Sequence, residues 1–222
     1  MKKIINLIKN PKFKMISILT FLLFIYTTLC AISYAKNVSQ DLSNSVFRLH
    51  VIANSDSEKD QNLKYKVRDK LIEYMNSLIP ECSNKNEVIT KAQEHIEEFK
   101  QVAINTIISE GYTYDVNVEI GNFEFPTKQY GDISFPAGFY DALKVKIGKA
   151  EGQNWWCVMF PPLCFVDIST GIVPDESKKE MQNNMNEEEF ALISDNKSAD
   201  IQFKFKILEL FGSNNIFTAK NN

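Results

Sequence analysis

The sequence predicts an α+β domain in which two long helices pack on one face of a mostly antiparallel sheet of about five strands, behind an N-terminal signal or anchor segment. Three observations predict it. Two stretches carry apolar residues at helical spacing, several others alternate with period two, and an uncharged run stands between lysines near the N-terminus. With 222 residues the chain suffices for one sizeable domain plus appendages, and no internal repeat is visible.

Lys2, Lys3, Lys9, Lys12 and Lys14 precede an uncharged run of 21 residues from Met15 to Ala35, and Lys36 follows. A basic region before an apolar segment is the pattern of export, and its charge asymmetry leaves the N-terminus in the cytoplasm. The run closes on Ser33-Tyr34-Ala35, with small residues at the two positions a signal peptidase reads. Its length also suits a membrane span, so a cleaved signal peptide and a retained anchor both fit residues 1–35. Without those residues the 25 basic side chains fall to 20 against all 28 acidic ones, a net charge of −8. Such a surface is a poor partner for nucleic acid or anionic lipid.

Residues 36–45 are polar and without period, and are expected to be a tether. In the next segment Phe47, Leu49, Val51 and Ala53 share one strand face while Arg48, His50 and Ile52 share the other. The strand empties into Asn54-Ser55-Asp56-Ser57-Glu58, where Ser55 with Glu58, or Ser57 alone, offers a helix N-cap. The stripe Leu63, Val67, Leu71, Tyr74 and Leu78 follows, and Pro80 closes that helix. Asn84 with Glu87 opens a second helix along Val88, Ala92, Ile96, Phe99, Ala103 and Ile107, with Gly111 as its C-cap and His95 half-exposed at its edge. Tyr114, Val116, Val118 and Ile120 then mark a half-buried strand, Gly121-Asn122 a turn, and Phe123 to Phe125 a short edge extension. Residues 127–140 read as a loop with two turns.

Leu143, Val145 and Ile147 alternate with lysines, and a turn over 148–153 leads to Gln153–Asp167, QNWWCVMFPPLCFVD. Both faces of this last strand are apolar, so it reads as a central strand forming a hairpin with its predecessor and ending at Pro161-Pro162. The core domain thus spans 46–167. Residues 168–185 read as an exposed connector, and 186–222 as a C-terminal helix, capped by Asn186 with Glu189, and a strand over 201–207 packing back on the core.

Chemistry-bearing patterns are sparse. No HExxH, phosphate loop or GxSxG is present, and His50 and His95 are the only histidines. Cys157 with His50 and Asp56 would make a thiol hydrolase, yet a cysteine among bulky apolar neighbours in mid-strand is ordinarily inert. Asn54, Ser55, Asp56 and Asp60 crudely resemble an oxygen-rich cation loop, and helix capping explains the same residues. No metal, cofactor or catalytic residue is therefore expected. Cys157 and Cys164 flank a proline turn and are expected to be bonded or close enough to bond, which export permits. Polar and aromatic groups converge in Arg48, His50, Asn54 and Asp56 on one side and Tyr140, Asn154 and Trp155 on the other, making these the candidate partner-binding residues.

Two long strings, FRLHVIANSDSEKDQNLKYKVRDKL (47–71) and PAGFYDALKVKIGKAEGQNWWCVMFPPLCFVD (136–167), resemble stage II sporulation protein R, and FKFKILEL (203–210) is similar as well. The resemblance implies a protein made in the forespore and exported into the space between the two membranes. There it would be needed for a mother-cell membrane protease, stage II sporulation protein GA, to process the precursor of sigma-E. It implies a signal rather than an enzyme and brings no active-site residues. An exported hydrolase and an inert envelope component are the alternatives.

Overall fold

The computed structural model describes residues 11–164 and 173–194. The chain enters through one continuous helix, α1 (Pro11–Ser45), and turns at Val46 into strand β1 (Phe47–Ile52). Three helices follow, with a 3-10 turn at Ile79–Glu81 after the first: α2 (Glu58–Leu78), α3 (Lys85–Glu94) and α4 (Ile96–Ser109). Then come β2 (Val116–Phe125), a small hairpin of β3 (Lys128–Tyr130) and β4 (Ile133–Phe135), β5 (Gly138–Ile147) and β6 (Asn154–Phe160). Two short helices, α5 (Asp175–Asn184) and α6 (Glu187–Ser194), complete the described chain. The fold is the expected α+β class.

Local chemistry sets the helix limits. The Ser57 hydroxyl accepts from the Asp60 amide and starts α2. Asn84 and Glu87 form a reciprocal capping box at α3, the Glu87 amide donating to Asn84 and the Ser83 amide to Glu87. Gly111, at φ 83°, ends α4 with paired bonds from its own amide to Ile108 and from the Tyr112 amide to Ile107. The expected single second helix is broken at His95, whose backbone leaves helical geometry and whose ring meets the Tyr74 hydroxyl. The apolar stripe nevertheless runs through, with Val88, Ala92, Phe99, Ala103 and Ile107 all buried.

The main sheet has the order β2-β5-β1-β6. β1 pairs in parallel with β5, Leu49 opposite Leu143, and antiparallel with β6, Leu49 opposite Cys157. This corrects the expected hairpin: β5 and β6 are consecutive but not neighbours, because β1 is inserted between them. It also corrects the central placement of the tryptophan strand, since among the described residues β6 lies at the sheet edge. Both of its faces are covered all the same. Trp155 packs edge-on against Tyr65 of α2, and Trp156 stacks on His50 on the opposite side.

Several segments are more ordered than their composition indicates. β2 runs straight through Gly121-Asn122, paired with Ala142 and Asp141 of β5, because ten consecutive partners outweigh a two-residue turn preference. Half of the expected 127–140 loop is the β3–β4 hairpin around Gly131 (φ 59°). The expected tether is instead the last part of α1: Leu42 is buried, the Lys85 ammonium donates to the Ser43 carbonyl and the Ser45 hydroxyl to Glu189. The stretch read as an exposed connector is helical over Asp175–Asn184 and buries Met181 and Met185. Asn186 and Glu189 cap α6 reciprocally. The expected strand at 201–207 lies outside the described residues.

Cys157 and Cys164 are joined by a disulfide with their Cα atoms 5.4 Å apart. It ties the end of β6 to the chain returning past Pro161-Pro162, where the Leu163 amide also donates to the Val158 carbonyl. Closing so short a loop removes about 2–3 kcal/mol of unfolded-state entropy. Replacing both cysteines by serine is expected to lower the denaturant midpoint of unfolding by an amount in that range. A midpoint unchanged by the double replacement would show that the bond constrains nothing.

Candidate interaction corner

The site is built where β1 ends. Ala53 to Asp60 turn the chain from strand to helix, and the six residues between β5 and β6 must pass across that exit to reach the far side of β1. Backbone and side chains bind the two segments at four points. The Gly152 amide donates to the Ala53 carbonyl (3.0 Å), the Glu151 amide to the Asn54 carbonyl (3.3 Å), the Lys149 amide to Asn54 Oδ1 (3.0 Å) and the Gln153 amide to Asp56 Oδ1 (2.7 Å). The approach is too close for side chains. A Cβ on Gly152 would meet the Ser55 carbonyl, and one on Gly148, already at φ 57°, would meet the Asn54 side chain.

Asp60 is the hub of the corner. Its Oδ2 accepts from Asn54 Nδ2 (2.8 Å) and from the Ser55 hydroxyl (2.5 Å), and its amide is capped by Ser57. Burial works to raise its pKa, but hydrogen bonds from Ser55, Asn54, Tyr114 and Ser57 outweigh burial and hold the carboxyl below its usual range. Gln61 donates to the Ser55 carbonyl (2.9 Å), and the buried Lys64 ammonium spans Gln61 (2.5 Å) and the Gln153 carbonyl (3.0 Å). The apparent cation loop is thus a closed hydrogen-bond network whose central carboxylate oxygen already faces two donors. Among the described residues no group of three or more metal-ligating side chains occurs.

Of the seven residues singled out in the sequence, the structure leaves Asp56 and Asn154 exposed and Asn54 and Trp155 half-buried at this corner. Arg48, His50 and Tyr140 are buried and so lie off the accessible surface. Arg48 and His50 do share a strand face, the one covered by the β3–β4 hairpin. The Arg48 guanidinium, at 0% exposure, sits 4.1 Å from the Phe125 ring centroid, 4.7 Å from Tyr140 and 5.6 Å from Phe135. Its Nη2 donates to the Tyr130 hydroxyl (2.9 Å), which passes a bond to the Trp156 carbonyl (3.0 Å). Nε and Nη1 have no hydrogen-bond partner among the described residues and rely on the ring faces.

His50 stacks on Trp156 at 3.6 Å, and its Nε2 is 2.7 Å from Asn154 Oδ1. Burial lowers its pKa to about 4; the Asn154 bond works the other way, while Lys144, Lys146 and Arg48 reinforce the fall. A hydrolytic triad is not assembled. Cys157 is in the disulfide and opposite Leu49, whereas His50 is opposite Trp156 and points to the other face. Sequence reasoning grouped Asp60 with Asn54, Ser55 and Asp56 but missed Gln61 and Lys64 as members of the corner. The signal was present in their spacing from Ser57 on the first turns of α2.

Residues 43–170 match the family model for stage II sporulation protein R. The chain belongs to that family. A curated relative, stage II sporulation protein R of Bacillus subtilis (strain 168), is 34% identical over 154 residues, which is 69% of this chain and 69% of the relative. No solved structure matches. The family match opens at the docked end of α1 and closes beyond the disulfide, so it contains the whole corner and the Arg48 cluster. Helices α5 and α6 lie outside it.

Removing the Asp60 carboxylate strands two donors in a nearly closed site. Asp60→Ala is expected to cost about 2–3 kcal/mol, more than the loss of an exposed cap, and denaturant unfolding measures it. His50 generates a separate pH dependence. Its folded pKa lies below its unfolded value of 6.5, so the unfolded state binds the extra proton between those values and stability falls as pH drops from about 6.5 to about 4. The loss is expected to reach up to about 3 kcal/mol, and His50→Phe, which keeps the stack on Trp156, should flatten that part of the stability profile.

Proposed function

We propose that this chain is an exported sporulation signal that binds a mother-cell membrane protease, stage II sporulation protein GA, and so switches on processing of the sigma-E precursor. The family match across 43–170 carries the reading. Three physical features support it. Lysines precede a helix whose Pro11–Cys30 segment has mean hydropathy 1.9, the arrangement of an export or anchor segment. A disulfide suits an oxidising compartment such as the space between the forespore and mother-cell membranes. The corner offers recognition groups, with Asp56, Asn154, Asn54 and Trp155 accessible in a rigid frame.

Trp155 anchors the accessible surface. Arg68 lies over its ring at 4.2 Å and Tyr65 packs edge-on, an association of residue types that dominate protein interfaces. Arg48, His50 and Tyr140 support this surface from below and do not touch the partner. The test uses full-length protein with the protease and its precursor substrate in membranes. Asp56→Asn retains the acceptor for the Gln153 amide and should keep the wild-type unfolding midpoint, whereas Asn154→Ala also takes the partner from His50 Nε2 and should lower stability by about 1 kcal/mol. Each is expected to weaken signalling about tenfold or more. Normal processing by both would remove this corner as the contact, and failure of the wild-type chain to bind the protease at all would sink the reading.

A further inference from the structure

We infer that the N-terminal helix stays on the exported protein as a membrane anchor, because the site at which it would be cleaved is held in a helix that is built into the domain. α1 is unbroken from Pro11 to Ser45, so Ser33-Tyr34-Ala35 is helical and lies ten residues before the helix end. A peptidase holds its substrate extended, and a site inside a stable helix must first unwind. Unwinding here is opposed by the domain. Leu42 is fully buried, Ser43 receives the Lys85 ammonium at 2.8 Å, and Ser45 donates to Glu189 at 2.8 Å, so the last turn is fixed by α3 and α6. Lys85 is itself held by Asp141 of β5 (2.7 Å).

The other end of the helix has a different environment. Pro11–Cys30 is 20 residues of mean hydropathy 1.9 with none of it buried in the fold, a length of about 30 Å that matches the hydrocarbon layer of a bilayer. Lipid is the occupant this surface commits to, since Lys12 and Lys14 mark one end and Lys36 the other. Between Cys30 and Ser45 the helix rises about 22 Å, and β1 carries the chain about 20 Å further before the corner begins. The corner is therefore at the end of β1 remote from the helix that enters the membrane. The retained helix ties it to one membrane at a set distance rather than releasing it to diffuse.

The experiment expresses the full chain with a C-terminal affinity tag in a sporulating host and compares it with Val38→Pro. Proline at 38 removes an amide and clashes with the carbonyl of Tyr34, so it breaks the helix at the cleavage site without touching the docked turn. The expected result is wild-type protein of full mass that resists carbonate extraction from membranes, and a Val38→Pro protein shortened at Ala35 and released. Wild-type protein that begins at Lys36, or that is intact but extracted by carbonate, overturns the inference. Intact wild type together with intact Val38→Pro overturns its cause, since the helix would then not be what protects the site. None of these readouts involves the protease, so they stand or fall separately from the proposed partner.

Discussion

The fold depends on one crossing. Because β1 lies between two strands that are consecutive in the chain, the β5–β6 connection has to span two strand spacings and pass over the mouth of β1. Only backbone without side chains fits there, and Gly148 and Gly152 supply it at the two ends of the connection. The amides of Lys149, Glu151, Gly152 and Gln153 would lose water in such a passage, and each finds an acceptor in Ala53, Asn54 or Asp56. The corner's polar residues are thus required by topology before they are available for recognition. Asp60 then orders the donors that order the crossing.

On the hairpin side of the sheet the chain solves a harsher problem. A guanidinium at zero exposure normally needs a carboxylate, and here three aromatic faces and one tyrosine hydroxyl stand around Arg48 instead. Burial pushes the Tyr130 hydroxyl up, with Arg48 pulling the other way, so Tyr130 remains a neutral donor to the Trp156 carbonyl. That relay ties β1, β3 and β6 together. It explains why an eight-residue hairpin with so little pairing of its own holds a fixed place: Tyr130 and Phe135 are anchored through Arg48.

Much of this was legible in the sequence, and the parts that were not share a cause. Period and capping gave α2, both capping boxes and the Gly111 terminus, because these rest on contacts within a few residues. They also placed Arg48 with His50 on one strand face and Asn54 to Asp56 at its end. The neighbour of a strand is a long-range choice. Two alternating segments joined by a glycine-bearing turn have the pattern of a hairpin, and nothing local reveals that β1 enters between them. Burial of Arg48, His50 and Tyr140 is hidden for the same reason, since the groups around them come from distant segments, Phe125 and Trp156 beside His50 and a hairpin of loop-like composition beside Arg48. The connector at 168–185 misled through its polarity: a helix that buries only Met181, with Met185 buried just past its end, carries too few apolar residues to show a stripe.

The crossing also bears on the binding role proposed above. Ordering a loop on association costs on the order of 0.5–1.5 kcal/mol for each rotamer-rich side chain immobilised, and a flexible corner would spend much of its contact energy on that. Here Asn54 uses both amide atoms internally, Asp56 is fixed through the Gln153 amide, Asn154 is fixed on His50, and Trp155 is clamped between Arg68 and Tyr65. The accessible groups are already in place before a partner arrives. On the proposed reading, substitutions that loosen the frame, at Gly152 or Asp60, would act on binding through this lost order even though neither residue is exposed. An interface mapped by mutation alone would therefore include buried residues that never touch the partner, and only a parallel measurement of stability separates the two groups.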